Sequence, residues 1–167
     1  DLKSGGVVQP ADKDDINNAL HRLNALNNSV SGYETAEVKK ELQQCMQNYF
    51  GVFRRGEYMK KGLDELQEIR EKVNQLHLKD KSNAFNTSRV EAIELQNLFE
   101  VAEATAIAAY SRDESRGAHA RDDFPERDDD RWLCHSLYDP LSKSVSKRDV
   151  NFSPSEVEAF PPIVRTY

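Results

Sequence analysis

The sequence predicts a mainly α fold: an antiparallel three-helix bundle, an additional amino-terminal helix, and an irregular carboxyl-terminal tail containing a short β-hairpin. Apolar residues recur at three- and four-residue spacing through successive stretches between Asp14 and Ser111. Hydrophobic residues make up 38% of the chain and charged residues 31%, with a mean hydropathy of −0.77. Such a composition concentrates its buried faces on amphipathic helices instead of spreading them through sheets. The connection at Arg55-Gly56 is also too short for the helices on either side to run any way but antiparallel. A length of 167 residues suits one domain with a real core better than two. Within it residues 1–33 are expected to form a connecting segment with one helix, 34–111 the bundle, and 112–167 the loop, hairpin and tail.

The first helix spans Asp14 to about Ser29, with Ile16, Ala19, Leu20, Leu23 and Leu26 on one side; Asn27-Asn28-Ser29 and Gly32 stop it. The second starts at Thr35, whose hydroxyl caps the free amides, and carries Val38, Leu42, Cys45, Met46, Tyr49, Phe50 and Phe53 to an end at Gly56. The third runs from about Glu57 to Leu76, burying Leu63, Leu66, Ile69, Val73 and Leu76, with Glu68 and Lys72 as an exposed pair one turn apart. Ser88 and Glu91 have capping-box spacing and open a long fourth helix that reaches roughly Ser111. Its apolar positions are read as Val90, Ile93, Leu98, Val101, Ala102, Ala104, Ala106, Ala108 and Ala109, growing smaller toward the end, where another backbone is able to approach. The expected core includes Ile69, Leu66, Phe50, Leu42, Val90 and Leu98. In the tail, Trp132 to Tyr138 and Ser144 to Phe152 flank Asp139-Pro140-Leu141 as a hairpin, and Pro154 with Pro161-Pro162 favours an extended end.

The net charge is −6, from 23 Lys and Arg against 29 Asp and Glu, with a pI of about 5.3. That speaks against nucleic acid or an anionic membrane surface as partner, since both require clustered basic surface. No apolar run approaches the roughly 20 residues that cross a bilayer, so direct membrane insertion is not expected. The amino terminus, Asp1-Leu2-Lys3-Ser4-Gly5-Gly6, has neither a signal-peptide core nor a starting methionine, as a piece of a longer chain would. Cys45 and Cys134 form no Cys-x-x-Cys, so a reduced thiol pair of a cytosolic protein is expected over a zinc knuckle or disulfide framework.

Between the helices and the tail lies a stretch from Arg112 to Trp132 in which Arg112, Arg116, Arg121, Arg127 and Arg131 alternate with acids. Interleaving of this kind favours bidentate arginine–carboxylate pairs over a solvated block of one sign. Gly117 and Pro125 argue against a helix continuing through it. A loop with few large apolar residues buries little on its own and is expected to be looser than the helices, with Phe124 as its main apolar anchor. His119, between Arg116 and Arg121, has the chemistry of a proton carrier or anion clamp, although pairing across a packed surface is the stronger reading. Asp128-Asp129-Asp130 lack calcium-loop spacing and are shadowed by arginines, and no metal site is expected. The seven glycines, Gly5, Gly6, Gly32, Gly51, Gly56, Gly62 and Gly117, form no Gly-x-Gly-x-x-Gly, so no flavin cradle is expected in this chain.

The runs Glu114-Ser115-Arg116-Gly117-Ala118-His119-Ala120-Arg121, Asp123-Phe124-Pro125, Arg127-Asp128-Asp129 and Trp132-Leu133-Cys134-His135-Ser136-Leu137 closely resemble the carboxyl-terminal part of the succinate dehydrogenase and fumarate reductase flavoprotein subunit. The likeness extends to Cys45-Met46-Gln47, Val52-Phe53-Arg54 and the closing Pro161-Pro162-Ile163-Val164-Arg165-Thr166-Tyr167. L-aspartate oxidase shares the shorter Glu-Ser-Arg-Gly core, while the long downstream run favours the succinate dehydrogenase branch, bacterial type. For the fold, the resemblance implies a spectrin-repeat-like bundle. For function, it implies a subunit that oxidises succinate to fumarate with covalently held FAD and passes electrons to an iron–sulfur subunit. Such an enzyme sits on the inner face of the bacterial cytoplasmic membrane or the matrix side of the mitochondrial inner membrane.

The family's flavin-linking histidine, proton-shuttling arginine and substrate-binding His-Gly-Ala-Asn-Arg run lie upstream and have no counterpart here. The resemblance therefore implies a chain without catalytic, cofactor-binding or metal residues of its own. Its role would be to brace the flavin-binding domain of the same subunit, with Arg116, His119, Arg121 and Phe124 as docking candidates whose partners belong to that domain. A free-standing helical interaction module using the alanine-rich end of the fourth helix, and a small enzyme using His119, are the competing readings.

Overall fold

In the computed structural model, residues 10–160, 162 and 163 are described. Residues 1–9, 161 and 164–167 lie outside the described residues, and with them part of the expected extended tail. Helix α1 spans Lys13–Asn28, α2 Thr35–Phe50, α3 Gly56–Asn74, α4 Thr87–Ser111 and α5 Asp129–Trp132. Two-residue strands β1 (Phe53–Arg54) and β2 (Ala120–Arg121) pair in parallel, and β3 (Cys134–Asp139) pairs antiparallel with β4 (Ser144–Asp149). The mainly helical fold with its hairpin is the one predicted. The chain divides into two compact units, residues 1–41 with 68–99 and residues 42–67 with 100–167. That boundary falls inside α2, α3 and α4.

In the first unit, the Asp12 carboxylate caps α1 by accepting from the Asp14 amide at 2.9 Å. At the other end Lys81 Nζ donates to the carbonyls of Leu26 and Ser29, both at 2.9 Å, and a cation there also complements the helix dipole. The apolar stripe read from the sequence does not face inward: only Leu26 is buried, while Ile16, Leu20 and Leu23 are 48%, 51% and 38% exposed. Arg22 gives the reason. Its guanidinium donates to Gln96 Oε1 and Asn97 Oδ1 of α4 at 3.0–3.2 Å, which turns the Arg22–Leu26 edge of α1 onto the unit and rotates the stripe away.

The core of this unit is Leu26, Val38, Ile69, Val73, Leu76, Leu78, Ala92, Leu95 and Phe99. Val90 and Leu98, expected in the core, are 55% and 42% exposed. Helix α4 is apolar on more than one side, so spacing offers two stripes; packing selects Ala92, Leu95 and Phe99, continued in the second unit by Ala102, Ala106 and Ala109. Its cap is also shifted. The Asn86 side chain accepts from the Arg89 amide at 2.8 Å and donates to the carbonyls of Asp80 and Ser82, taking the place assigned to Ser88. Lys72 pairs not with Glu68 but with Glu41 of α2, at 2.6 Å.

In the second unit Leu42, Cys45 and Phe50 of α2, Met59 and Leu66 of α3, and Ala102, Ala106 and Ala109 of α4 are buried. Gly62 permits the close approach: a Cβ there would stand 2.5 Å from Tyr49 Cβ. The buried Cys45 thiol donates to the Gly62 carbonyl at 3.6 Å, and burial together with the nearby Glu65 carboxylate pushes it up to about 12, so it stays a thiol. Pairing of Glu41 with Lys72 in one unit and of Tyr49 with Gly62 in the other gives α2 and α3 the expected antiparallel sense. Helix α2 ends at Phe50, short of Gly56, because Phe53 and Arg54 leave it to pair with Ala120 and Arg121; Phe53 is 80% exposed, not part of the buried stripe. The hairpin forms at the expected place, with Cys134 opposite Asp149 and Asp139 opposite Ser144. Trp132, read as its first residue, instead closes the one-turn helix α5, which Asp128 caps through the Arg131 amide at 3.0 Å.

Candidate docking site: the arginine loop

Gly117, at φ +59°, makes the turn that brings His119 back to Arg116; the two residues exchange backbone hydrogen bonds of 2.8 and 3.0 Å. The Ser115 hydroxyl pins the next turn, accepting from the Arg121 amide at 2.8 Å and donating to the Phe124 carbonyl at 2.9 Å. The Asp122 amide then donates to the Arg54 carbonyl at 2.8 Å, continuing the short β1–β2 pairing.

Two ion-pair centres hold the loop. Glu114 is fully buried and accepts from Arg116 Nε at 2.8 Å and Nη2 at 3.0 Å, from the Asp128 amide at 2.9 Å, and from Arg112 Nη1. Burial pushes the Glu114 carboxyl up, but hydrogen bonds from Arg116, the Asp128 amide and Arg112 outweigh it and hold the group below its ordinary value. Asp129 bridges Arg116 at 2.7 Å to Arg127 at 2.8 Å. Arg112 also donates to the carbonyls of Trp132 and Cys134 and lies 5.0 Å from the Trp132 ring, tying the start of the loop to α5 and β3.

Arg121 forms the second centre, 3% exposed. It holds Asp123 through two bonds of 2.8 Å, donates to the Arg112 and Tyr110 carbonyls at 3.0 and 3.3 Å, and covers the Phe124 ring at 4.9 Å. Asp123 in turn accepts from the Gly56 amide at 2.9 Å, so a loop residue caps α3. The Arg121 hydrogen bonds hold the Asp123 carboxyl far below its usual range.

His119 stands between two arginines as a neutral link. Its Nδ1 accepts from Arg54 Nη1 at 2.8 Å, which leaves the proton on Nε2, directed at the Arg112 carbonyl at 3.1 Å. Burial lowers its proton affinity, and Arg54, Arg121 and Arg112 lower it further. That geometry offers no free ring nitrogen for proton traffic. Beside it lies a cavity of about 420 Å³, whose lining includes Arg54, Arg112, Arg116, His119, Thr105 and Ala108.

Of the docking candidates, Arg116, His119 and Arg121 have partners within the chain, and Phe124 is 38% exposed. Sequence reasoning missed Arg54 and Glu114. The pairing of Arg54 with the loop spans 65 residues and has no local signal, whereas a lone glutamate before Ser-Arg-Gly among so many arginines was a usable one.

Helices closed by an ion-paired loop and a β-hairpin define a class of α-helical domain, and comparison with known proteins fixes which. Residues 39–167 match the family described as "Fumarate reductase flavoprotein C-term", and the chain belongs to that family. The succinate dehydrogenase flavoprotein subunit of Coxiella burnetii is 42% identical over 149 residues, covering 89% of this chain and 25% of that protein. The mitochondrial succinate dehydrogenase flavoprotein subunit of Oryza sativa is 35% identical, covering 99% and 27%. Among solved structures, a chain of E. coli quinol fumarate reductase superposes with a TM-score of 0.77 at 30% identity, over 93% of this chain and 27% of that one. The chain thus spans about a quarter of the length of the curated relatives it matches. Among the described residues no helix is long and apolar enough to cross a membrane.

Proposed function

We propose that the chain is the helical carboxyl-terminal domain of a succinate dehydrogenase flavoprotein subunit and that it braces the flavin-binding domain of that subunit. The observation that carries this is the family match through residues 39–167, which takes in the whole arginine loop. The level of identity to the Coxiella burnetii subunit favours the succinate dehydrogenase branch over fumarate reductase or L-aspartate oxidase. FAD, succinate oxidation, electron transfer to an iron–sulfur subunit and a peripheral place at the bacterial inner or mitochondrial inner membrane belong to the assembled enzyme in this reading.

Two surfaces support the bracing role. The stripe Ile16, Leu20 and Leu23 on α1 is unpartnered among the described residues, and an apolar helix face left in water is a site for a further protein surface. In the loop, Phe124 is the contact, while Arg116, His119 and Arg121 hold the backbone that presents it. A free-standing helical module is the alternative, and it predicts that the chain needs no other part of the subunit.

Mixing the chain with the flavin-bearing remainder of the subunit separates the two. Association into one species, with succinate-dependent dye reduction only in the mixture or the intact subunit, is the expected result. Failure of the two parts to associate, or succinate turnover by the chain alone, overturns the proposal.

A further inference from the structure

In the loop Arg112, Arg116, Arg121 and Arg127 each hold a carboxylate, whereas Arg54, which meets the loop from β1, does not. Arg54 donates through Nε to the carbonyls of Phe50 and Gly51, through Nη2 to Phe50 and through Nη1 to neutral His119, and among the described residues it meets no acid. Arg121, another cation, acts against its charge, and Arg54 is partly buried. A half-buried cation without a counter-charge is costly, and it invites an anion. On the same cavity wall Arg116 spends Nε and Nη2 on Glu114 and Asp129, and among the described residues its Nη1 donates to nothing. Elsewhere the lining is mixed: Thr105, Ala108 and Ala109 of α4 are small and leave room where larger residues would close the recess, and Cys134, His135 and Ser136 of β3 complete it. The Thr105 hydroxyl is turned back onto the Val101 carbonyl at 2.8 Å.

We propose that this cavity binds a small organic carboxylate, its carboxyl group held by Arg54 and the free Nη1 of Arg116 and its short apolar stem lying on Ala108, Ala109 and Thr105. Charge-assisted hydrogen bonds from two guanidinium groups suit a carboxylate, and the methyl groups of Ala108 and Ala109 favour an anion with a hydrocarbon part over an inorganic one. The proposal uses only residues of this chain and does not depend on which enzyme the chain belongs to.

The test is a titration of the chain with propionate, followed by amide shifts in nitrogen-15 spectra at an ionic strength held near about 0.1 M, with sodium chloride and inorganic phosphate as parallel arms. Saturable shifts confined to the surroundings of Arg54, Ala108 and His119, produced by propionate alone, are expected. Arg54→Gln should weaken binding by about ten- to a hundredfold, the range for a hydrogen bond to a charged group. Ala108→Leu keeps every charge and a good helix former but fills the recess, and should abolish binding with the melting curve unchanged, which covers the case in which Arg54→Gln fails to fold. Equal shifts from all three salts, or full propionate binding by Ala108→Leu, would overturn the proposal.

Discussion

The loop from Arg112 to Trp132 and the helix α1 differ in what they bury. The loop, read as a loose and charge-rich connection, buries Glu114 completely and Arg121 almost so, and its arginines are engaged by acids, carbonyls and rings of the same unit. Helix α1, read as an amphipathic element folded onto the bundle, leaves most of its apolar stripe in water and attaches through Leu26, Arg22 and Lys81. The lesson is that an apolar stripe states what a helix is able to bury, not what it buries within one chain. A run of mixed charge, conversely, is able to bury groups once its arginines find carboxylates and carbonyls at hydrogen-bond distance.

Removing the centre of the loop should have the largest effect. Glu114→Ala leaves Arg112 and Arg116 partly buried without their shared acid, and breaking a buried pair from one side costs on the order of 3–5 kcal/mol. Chemical denaturation checks it, and a loss below about 1 kcal/mol, the worth of a surface pair, would make the loop as soft as first expected. Ile69→Ala supplies the apolar reference in the other unit: Ile69 is 2% exposed, and such truncations cost about 2–5 kcal/mol. Comparable melting shifts for the two variants would put the ion-paired loop on a par with the core.

Asp123→Ala should cost about 1–3 kcal/mol, because it removes the cap on the Gly56 amide and leaves the buried Arg121 with only the longer carboxylate pair, to Asp113 at 3.5 Å. The same carboxyls set an acid limit. Glu114 and Asp123 are held below their ordinary values in the folded chain, so their stabilisation is present above an unfolded value of about 4 and disappears as pH falls through the lower folded ones. Amide exchange at Ser115, Arg116 and Arg121 should stay slow from neutral pH to that limit and quicken below it; fast exchange at neutral pH would show a loop that opens on its own.

The smallest effect belongs to α1. Leu20→Ser removes an apolar side chain already half in water and should change the stability of this chain by less than about 0.5 kcal/mol, while weakening association with the flavin-bearing remainder. A large loss of stability in the chain alone would mean that the stripe is packed in solution, and would erase the contrast with the loop.

By itself the sequence determined the helices and the hairpin, because repeating apolar spacing, glycine stops and turn residues act over a few positions. The helices begin and end within a few residues of the boundaries predicted for them, α2 excepted, and the family was readable in Glu114 to Arg121. Only the tertiary structure decided which side of an element faces inward. Helix α4 has two apolar stripes, and the choice of Ala92, Leu95 and Phe99 over Val90 and Leu98 depends on what α2 and α3 present to it. Asn86 displaced Ser88 as a cap because its amide also satisfied two carbonyls of the preceding loop. The site was decided in the same way: Arg54 and His119, Asp123 and Gly56, and Arg22 and Gln96 meet across 65, 67 and 74 residues. Hydrogen bonds of that range follow from where packing brings the backbone, and no periodicity in the chain encodes them.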